Sequence, residues 1–456
     1  MAHADRVVAA LVANGFDAAA ANARAASFIQ CAAGVDAIGG DAHGRVHVWA
    51  PGRIEVFGKH TDYAGGRSLL TAVERGFSVV AAPRSDARIR VIDASGDNAC
   101  ETALDVAASA PDGQWSNYVA TVARRVARNF PDAHAGLDLA FVSDLPSAAG
   151  VSSSSALMIG VFSALAAVNR LPDTATWRQS LATLPELGGY MGAMENGLTF
   201  GALGGDSGVG TLGGSQDQTA ILCAEPGQVV DFAWMPVRKL GAHALSQSKR
   251  FVVASSGVVA EKSAGARELY NRASLLVRHL VAIWNKNTGR SDHSLAAVVQ
   301  SQPDAADRLR EMLVSDATDR FPAAALRDRF EQFLLETYTL IPAASAAFEL
   351  SAWAALGEVA ARSQRAAEEL LGNQVPETMA LVAEAKSRGA VAASAFGAGF
   401  GGSVWALVDS SDADRFQRDW SESYRQRFPD AAARAMFFTT AAGPAAVTWS
   451  DEASDR

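Results

Sequence analysis

One short segment of the chain places an arginine, a histidine and an aspartate between glycines. Residues 51–66 are PGRIEVFGKHTDYAGG. Arg53 carries a planar, permanently charged fork of donors that suits phosphate, and His60 and Asp62 offer donors and acceptors that suit sugar hydroxyls. We interpret the segment as a tight polar turn that holds a small polar ligand. A polar hairpin without a ligand is the simpler interpretation of this segment alone, so the choice depends on the rest of the chain.

Two further segments, rich in serine and glycine, favour the ligand site. Residues 146–160, PSAAGVSSSSALMIG, lead from small residues into an apolar, helix-forming stretch. This arrangement leaves free backbone N–H groups at a helix N-terminus, where they can surround a phosphate. Residues 394–408, SAFGAGFGGSVWALV, place four glycines within six positions before a strand-like run. Because glycine has no Cβ, that loop can approach a ligand closely.

In this order, the three segments resemble motifs of the GHMP small-molecule kinase superfamily (galactokinase, homoserine kinase, mevalonate kinase and phosphomevalonate kinase), and they are most similar to those of the galactokinases. The galactokinase motifs are approximately G-R-x-N-L-I-G-E-H-x-D-Y-x-x-G, P-x-G-x-G-L-S-S-S-A and G-x-G-F-G-G. Agreement with all three in order is not expected by chance. The matching residues are Gly52, Arg53, Gly58, His60, Asp62, Tyr63, Gly66, Pro146, Gly150, Ser152, Ser153, Ser154, Gly397, Gly399, Phe400, Gly401 and Gly402.

The resemblance implies an α/β (α+β) fold with the two-domain GHMP kinase architecture. Residues 1–240 would form a ribosomal-protein-S5-like N-terminal domain that carries the sugar motif and the phosphate loop. Residues 241–456 would form a ferredoxin-like C-terminal domain, with the active site between the two. The implied reaction is ATP-dependent phosphorylation of the anomeric (C1) hydroxyl of galactose or a close relative, which gives a sugar 1-phosphate and ADP.

Phosphoryl transfer requires groups that bind phosphate, a divalent cation and a group near the attacking hydroxyl. By resemblance, backbone amides of the phosphate loop would bind ATP. The last serine of the S-S-S run and a glutamate on a following helix would supply hard oxygen ligands for Mg²⁺. The expected ATP-binding residues are Ala149, Gly150, Val151, Ser152, Ser153 and Ser154, and the expected metal ligands are Ser154 and Glu195.

The segment LGGSQDQTAIL resembles the galactokinase segment G-x-M-D-Q and assigns the catalytic carboxylate to Asp217. An aspartate in a glycine loop is by itself typical of a turn, so this role comes from the resemblance. The carboxylate would accept the proton of the sugar hydroxyl or orient that hydroxyl. Arg53 would lie beside Asp217 and stabilise charge on the transferred phosphoryl group. The expected substrate-binding residues are Lys59, His60, Asp62, Gly214 and Tyr270.

Lys59 leaves the identity of the sugar open. It stands where galactokinases carry the glutamate that contacts the primary hydroxyl of the sugar, and Glu55 replaces the usual asparagine. A lysine favours a carboxylate or phosphate on the substrate, so a uronic-acid 1-kinase, similar to a galacturonokinase, is one alternative. A lysine turned to solvent, or paired with Glu55, would leave galactose as the substrate.

An alternative of another class is a non-catalytic, galactokinase-like sensor that binds sugar and ATP. The loss of a catalytic residue would indicate such a sensor. Arg53, Asp217 and Ser154 are all present, which favours an enzyme.

Composition is that of a cytoplasmic enzyme. The chain has 456 residues, of which 49% are hydrophobic and 20% charged, as in ordinary globular proteins. A net charge of -9 argues against a nucleic-acid surface. Three widely spaced cysteines predict neither a disulfide framework nor a zinc site. No secretory signal is visible, and the apolar stretch 156–168 is shorter than the roughly 20 residues that cross a bilayer, so we expect no membrane partner. The sequence identifies no protein partner.

The hydrophobic pattern predicts the elements that position these residues. Helices are expected around 5–29, 116–129, 153–169, 176–197 and 411–427, with several long amphipathic helices between 263 and 388. Strands are expected around 45–50, 77–82, 88–93, 137–144, 251–259, 403–409 and 434–441. The pattern is lost over 235–248, which is where we place the domain boundary.

Overall fold

The structure is a computed structural model that describes residues 3–146, 150–258 and 264–450. Its strands, in chain order, are β1 (Val46–Phe57), β2 (Arg67–Pro83), β3 (Arg88–Asp93), β4 (Ala99–Ala103), β5 (Leu137–Ser143), β6 (Gln228–Ala233), β7 (Arg238–Ala244), β8 (Lys249–Ser255), β9 (Ala392–Phe396), β10 (Ser403–Asp409), β11 (Met436–Thr440) and β12 (Val447–Ser450).

The α-helices surround these strands. In chain order they are α1 (His3–Ala13), α2 (Ala18–Ala37), α3 (Ser116–Asn129), α4 (Ser153–Val168), α5 (Ala175–Ser180), α6 (Leu184–Glu195), α7 (Gln216–Cys223), α8 (Ala264–Thr288), α9 (Leu295–Gln300), α10 (Ala305–Met312), α11 (Ala323–Leu335), α12 (Ile341–Glu349), α13 (Trp353–Ala366), α14 (Pro376–Ser387), α15 (Ala413–Arg427) and α16 (Pro429–Ala432). Two π-helical segments, Glu336–Leu340 and Ala367–Leu371, follow α11 and α13.

The first sheet holds eight strands of the described chain. Its order is β12-β1-β2-β5-β3-β4, and β6 joins β2 and carries β7. The pairings are antiparallel except for the parallel pair of β3 and β5. The long strand β2 makes this branching possible, because its first residues pair with β6 and its last residues pair with β5. Because β12 pairs with β1, the last described strand lies beside the first.

Every residue of β1 is buried because helices cover both faces of the first sheet. Trp49 packs with Phe28 of α2 on one face. Ile54 and Val56 belong to the large core that contains α4 residues such as Ile159 on the other face. Burial on both faces holds β1 rigidly, which matters because the functional residues lie along its second half.

The second sheet has the order β11-β8-β10-β9 and is antiparallel throughout. Leu381 of α14 and Trp420 of α15 pack on one face. Phe251 and Trp405 on the other face join the core shared with the first sheet. Among the described residues, no helix is both long and apolar enough to span a membrane.

Most predicted elements are confirmed, and two predicted helices are wrong in extent. The helix expected near 176–197 is divided into α5 and α6, because Thr183 caps the new helix in a reciprocal capping box with Glu186. The helix expected over 5–29 is broken before Asp17, whose side chain caps α2 through the N–H of Ala20. Helix α2 then continues to Ala37.

Two expectations about chain organisation also change. The predicted tight turn over 51–66 is wrong in its first half, because β1 continues to Phe57 and only the residues after it form a loop. The expected boundary between residues 240 and 241 falls inside β7, and the change from the first sheet to the second comes between β7 and β8. Strand β7 pairs only with β6 and is mostly exposed. As an edge strand it lacks the alternation that sequence analysis depends on.

Candidate active site

A cavity of about 670 Å³ lies where the three motif segments meet. Its walls come from the second half of β1, the start of α4, the end of α6, the start of α7 and the loop before β10. Its charged lining residues include the paired Arg53 and Asp217, and its aromatic lining residues include Phe77, Phe141 and Trp115, whose rings contact one another. We call the part of the cavity around the charged pair the polar end and the part around the aromatic rings the apolar end.

Arg53 and Asp217 form an ion pair inside this cavity. Arg53 Nη2 lies 2.7 Å from Asp217 Oδ1, and Arg53 Nε donates to the same oxygen over 2.9 Å. Arg53 also donates through Nη1 to the carbonyl oxygen of Gly150 and lies over the ring of Phe396. The side chain of Asp217 remains 33% exposed whereas that of Arg53 is 4% exposed. A fixed guanidinium thus holds a carboxylate that a ligand can still reach.

The start of α4 has the features of an anion site. Ser152 precedes the helix with a left-handed φ of 64° and makes no side-chain cap. Its Oγ is buried and has no hydrogen-bond partner among the described residues. The first N–H groups of any helix lack intrahelical partners, and here Ser152, Ser153 and Ser154 line the cavity. Uncapped N–H groups at the positive end of a helix dipole are well suited to bind phosphate.

The third motif packs directly on this phosphate loop. A Cβ added to Gly397 would lie 3.1 Å from the carbonyl oxygen of Gly150, so only glycine allows such close backbone contact. Gly397 and Ala398 line the cavity. The C-terminal loop therefore closes one side of the site.

Glu195 lies at the end of α6 and faces the start of α4 and α7. Its Oε2 accepts hydrogen bonds from Ser155 Oγ at 2.9 Å and from Gln218 Nε2. Burial, together with the nearby carboxylate of Asp217, raises the pKa of Glu195 to about 7. Ser154, the other expected metal ligand, lines the same cavity. The contacts of Ser155 and Gln218 with Glu195 were not predicted from the sequence.

The donor set fits a magnesium ion that is shared with substrate phosphates. Among the described residues, no group of three or more His, Cys, Asp or Glu side chains is arranged to hold a metal ion without other ligands. Mg²⁺ in phosphoryl-transfer sites commonly binds one or two carboxylates together with phosphate oxygens. The carboxylate of Glu195 and the hydroxyl of Ser154 are hard oxygen donors of that kind.

His60 lines the cavity, but both of its ring nitrogens contact protein groups. Nε2 lies 3.1 Å from the carbonyl oxygen of Ala398, and Nδ1 lies 2.7 Å from the hydroxyl of Tyr63. A carbonyl oxygen only accepts, so Nε2 carries the proton and Nδ1 of the neutral ring accepts from Tyr63. Burial, together with the nearby guanidinium of Arg329, lowers the pKa of His60 to about 4. His60 thus connects the first motif to the third rather than offering a free ring nitrogen to a sugar.

Asp62 and Gly214 lie against each other at the polar end. A Cβ on Gly214 would lie 2.2 Å from Asp62 Oδ2, so glycine is required there. The same oxygen accepts a hydrogen bond from the backbone N–H of Gln216 over 3.1 Å. Burial raises the pKa of Asp62 to about 6. Both residues line the cavity.

Lys59 does not reach the cavity, which corrects its expected role in substrate binding. Its side chain is only 2% exposed, and its Nζ donates to Ser363 Oγ at 2.7 Å and Ser394 Oγ at 2.9 Å. Ser363 in turn donates to the carboxylate of Glu336. The ammonium group is thus neither turned to solvent nor hydrogen-bonded to Glu55. It lies in the core beneath the first motif.

Two expected site residues cannot be placed. Ala149 and the side chain of Tyr270 lie outside the described part of the structure. The backbone at position 270 belongs to α8. The next residue, Asn271, accepts a hydrogen bond from the N–H of Leu212 over 2.9 Å, which brings this end of α8 to the glycine-rich loop before α7.

Aromatic residues at the far end of the cavity were missed by sequence reasoning. Phe77, Trp115, Tyr118 and Phe141 line it, and the rings of Trp115 and Phe141 meet edge to face with centroids 5.9 Å apart. No short motif marks them. Their signal is positional, because Phe141 lies near the end of β5, the strand that leads into the phosphate loop.

Family models match three separate segments of the chain, each of which contributes to the cavity. The model described as GHMP kinases N terminal domain matches residues 117–224, and that described as GHMP kinases C terminal matches residues 344–426. A third, described as galactokinase galactose-binding signature, matches residues 36–83. These segments contain β1, the phosphate loop and the C-terminal glycine loop.

Curated relatives match over a shorter segment. A galactokinase of Glaesserella parasuis serovar 5 is 35% identical over 127 residues, which is 27% of this chain and 33% of that protein. A galactokinase of Actinobacillus pleuropneumoniae is 34% identical over 129 residues, which is 28% of this chain and 34% of that protein. The matched segment thus spans about a third of the length of these relatives.

Solved structures match over nearly the whole chain. Galactokinase of Lactococcus lactis, crystallised with galactose, superposes with a TM-score of 0.71 at 21% identity and covers 90% of this chain and 97% of its own. Mevalonate kinase of Methanococcus jannaschii has a TM-score of 0.52 at 12% identity and covers 88% and 100%. These likenesses confirm the predicted two-domain α/β architecture. The chain thus carries matches to both GHMP kinase domains and to the galactokinase galactose-binding signature, in the order that the resemblance implies.

Proposed function

We propose that the protein is an ATP-dependent sugar kinase that phosphorylates the anomeric hydroxyl of galactose or a close relative. One observation carries the proposal: the Arg53–Asp217 pair faces the uncapped start of α4 within one cavity. A reachable carboxylate beside a phosphate-binding helix start is what transfer from a nucleotide to a hydroxyl requires. The galactose-binding signature over residues 36–83 supports a sugar as acceptor.

In this proposal the two ends of the cavity hold the two substrates. The phosphates of ATP lie against the backbone N–H groups that begin α4, and the aromatic end receives the adenine, since flat apolar rings favour stacking. The sugar lies at the polar end beside Asp62 and Asp217. A bound Mg²⁺ would neutralise negative charge on the phosphates, with Ser154 and Glu195 as its protein ligands.

The ion pair supplies the chemistry of the acceptor side. The Asp217 carboxylate orients the attacking hydroxyl and accepts its proton. Arg53 holds that carboxylate in place and offers its remaining charge to the transferred phosphoryl group. Because Arg53 is itself fixed by Gly150 and Phe396, little reorganisation is needed during the reaction.

The proposal includes a cytoplasmic location. It is supported by the three cysteines, which are all free thiols in the structure, as is usual in a reducing compartment.

The direct test is ADP release from MgATP with D-galactose or D-galacturonate as acceptor. We expect turnover with galactose, and we expect Asp217→Asn to lower kcat by about 10²- to 10⁴-fold because the proton acceptor is lost. Asp173→Asn is the matched control, since Asp173 is exposed in a surface turn, and it should retain wild-type kcat.

Three other outcomes would change the proposed substrate, the proposed class of protein or the role of Asp217. Turnover with galacturonate but not galactose would identify a uronic-acid 1-kinase. Galactose binding by calorimetry without any turnover would identify a sugar sensor. Full activity of Asp217→Asn would remove Asp217 from the mechanism.

A further inference from the structure

Acidic side chains predominate along the walls of the cavity. Arg53 is the basic residue among its described lining, apart from the neutral imidazole of His60. The acidic lining residues are Glu55, Asp62, Asp93, Glu195 and Asp217. The lysine that was expected to add positive charge at the sugar end, Lys59, is turned into the core. Among the described lining residues, an anionic sugar would therefore meet several carboxyl groups and a single guanidinium, which Asp217 already pairs.

Among the described acidic lining residues, Glu55 has a buried carboxylate oxygen without a hydrogen-bond partner. It lies two residues after Arg53 on β1, so both side chains project from the same face of the strand. Its Oε2 accepts from Gln216 Nε2, but Oε1 is buried without a hydrogen-bond partner among the described residues. The whole side chain is 4% exposed. A buried, unpaired carboxylate oxygen is costly, and such groups in native proteins are usually completed by a ligand or water.

The surroundings hold that free oxygen in position. Gln216 accepts from Ser68 Oγ over 2.8 Å through its own Oε1, and its backbone N–H binds Asp62. The orientation of the Gln216 amide is thereby fixed, with its nitrogen towards Glu55. Oε1 of Glu55 remains as a preorganised acceptor at the wall of the sugar end of the cavity.

Resting on the proposed sugar-kinase function, we propose that Glu55 determines acceptor specificity: its Oε1 accepts a hydrogen bond from a hydroxyl of a neutral sugar and excludes uronic acids. Burial raises the pKa of Glu55 to about 7, so above that pH its carboxylate is ionised and only accepts, whereas the asparagine of the family motif can also donate. A sugar hydroxyl satisfies the buried oxygen, but the carboxylate of a uronic acid repels it and leaves it unpaired. Specificity then comes from both an attractive and a repulsive element.

Glu55→Gln tests this assignment with little change of shape. The amide oxygen can still accept from Gln216, and the amide nitrogen then takes the place of Oε1, so an acceptor becomes a donor. We expect the KM for D-galactose to rise about tenfold, as is typical for losing a hydrogen bond to a charged group, with a smaller change in kcat. We also expect the preference for galactose over galacturonate in kcat/KM to narrow about tenfold.

Controls and binding measurements keep the result decisive. Glu349→Gln, at the exposed end of α12, should keep both the KM and the preference. If Glu55→Gln does not fold by circular dichroism, Glu55→Asn, which restores the family residue, replaces it. Calorimetric titration of D-galactose and D-galacturonate into wild-type and variant protein gives the same comparison without turnover.

Failure of this proposal differs from failure of the proposed function. An active wild-type kinase whose KM and sugar preference stay within twofold in Glu55→Gln would overturn the role of Glu55, as would a wild-type preference for galacturonate. If no sugar is phosphorylated, the proposed kinase function fails. Calorimetric binding of the two sugars then tests the role of Glu55 in specificity. Galactose binding that exceeds galacturonate binding and is lost in the variant supports Glu55, and absence of galactose binding overturns it.

Discussion

The contacts of His60 make one ring a structural connection between two motifs. Protonation of Nδ1 would end its acceptance of the Tyr63 hydroxyl hydrogen bond, and it would place a second cation beside Arg329, whose guanidinium binds the carbonyl oxygen of His60. The pKa of His60 is accordingly lowered from its ordinary 6.5 to about 4, chiefly by burial. The ring is therefore neutral at physiological pH.

This lowered pKa predicts how His60 contributes to stability at different pH values. The unfolded chain takes up the proton near pH 6.5 and the folded chain only near pH 4, so the contribution of the neutral ring is complete above pH 6.5 and is lost as pH falls to about 4. The difference in unfolding free energy between wild type and His60→Gln should be about 1–3 kcal/mol at neutral pH and shrink between these values. Urea unfolding at several pH values measures it.

The control for this prediction is His134→Gln, because His134 is exposed. Its pH profile of unfolding free energy should follow that of wild type. Parallel profiles for His60→Gln and wild type across the whole range would show that the ring of His60 is not held neutral by the fold.

Lys59 shows where sequence reasoning about residues stops. The neighbourhood of Arg53 and Asp217 follows from two recognisable motifs, and the structure places the two side chains 2.7 Å apart. The partners of Lys59 are 304 and 335 residues further along the chain and belong to no motif. A motif predicts which residue type occupies a position. The direction of a long side chain such as that of Lys59 depends instead on residues that are distant in sequence and pack against it.

Among the elements, the π-helical segment Glu336–Leu340 anchors the first motif from a distance. Its Glu336 accepts the backbone N–H of Gly58 over 2.9 Å and the hydroxyl of Ser363. Lys59 donates to that same hydroxyl oxygen. Three elements far apart in sequence thus fix the corner at which β1 ends. Such π-helical irregularities commonly occur at functional sites.

Lys59→Met should therefore affect stability rather than sugar choice. It leaves the buried carboxylate of Glu336 without the nearby ammonium, and breaking a buried charged cluster typically costs about 3–5 kcal/mol. We expect a lower unfolding free energy in urea but an unchanged ratio of kcat/KM for galactose and galacturonate.

Lys239→Met is the comparison for Lys59→Met, since Lys239 pairs with Glu225 at the surface, where the two side chains are 43% and 34% exposed. Surface pairs contribute about 0–1 kcal/mol, so this variant should lose little stability. A shift of sugar preference in Lys59→Met at wild-type stability would return Lys59 to the substrate site.

The elements themselves were predictable where their signals are local. Helix α3 agrees with the sequence pattern because its buried apolar residues Val119, Val122, Ala123 and Val126 recur at helical spacing. Strand β10 was predictable as a short, continuous run of mostly apolar residues, six of which are buried. Strands β4 and β7 were missed, and both lie at sheet edges and expose most of their residues. Strands β6 and β9 were also missed although they are buried. The capping box of Thr183, which divides the region expected as one helix, was visible in the sequence and outweighs helical periodicity there.

At the scale of the whole molecule, strand β12 ties the two ends of the described chain together. It pairs antiparallel with β1 from Val46↔Ser450 to Trp49↔Val447. Trp449 stacks on His47 with centroids 5.3 Å apart and packs against Phe28 of α2. The first domain is therefore completed by residues that follow the second sheet.

Trp449→Ala should destabilise the first sheet although it lies far from the cavity in sequence. Removing a partly buried tryptophan should cost about 2–4 kcal/mol, somewhat less than in a full core, with KM values unchanged. Thr448→Ala changes the exposed neighbour on the same strand and should leave the urea midpoint near that of wild type. Equal midpoints for both variants would show that β12 contributes little.

The return of β12 also sets the order in which the protein can be completed during synthesis. At roughly 5–20 residues per second, a ribosome needs roughly 20–80 s to pass from the codons of β1 to those of β12. Throughout that time the newly made β1, which already carries Arg53 and Glu55, presents the edge that β12 will later cover. An uncovered strand edge invites pairing with other chains. The nascent polypeptide thus depends on β12, or on a chaperone that shields the edge until β12 emerges, to keep its first sheet from pairing with another chain.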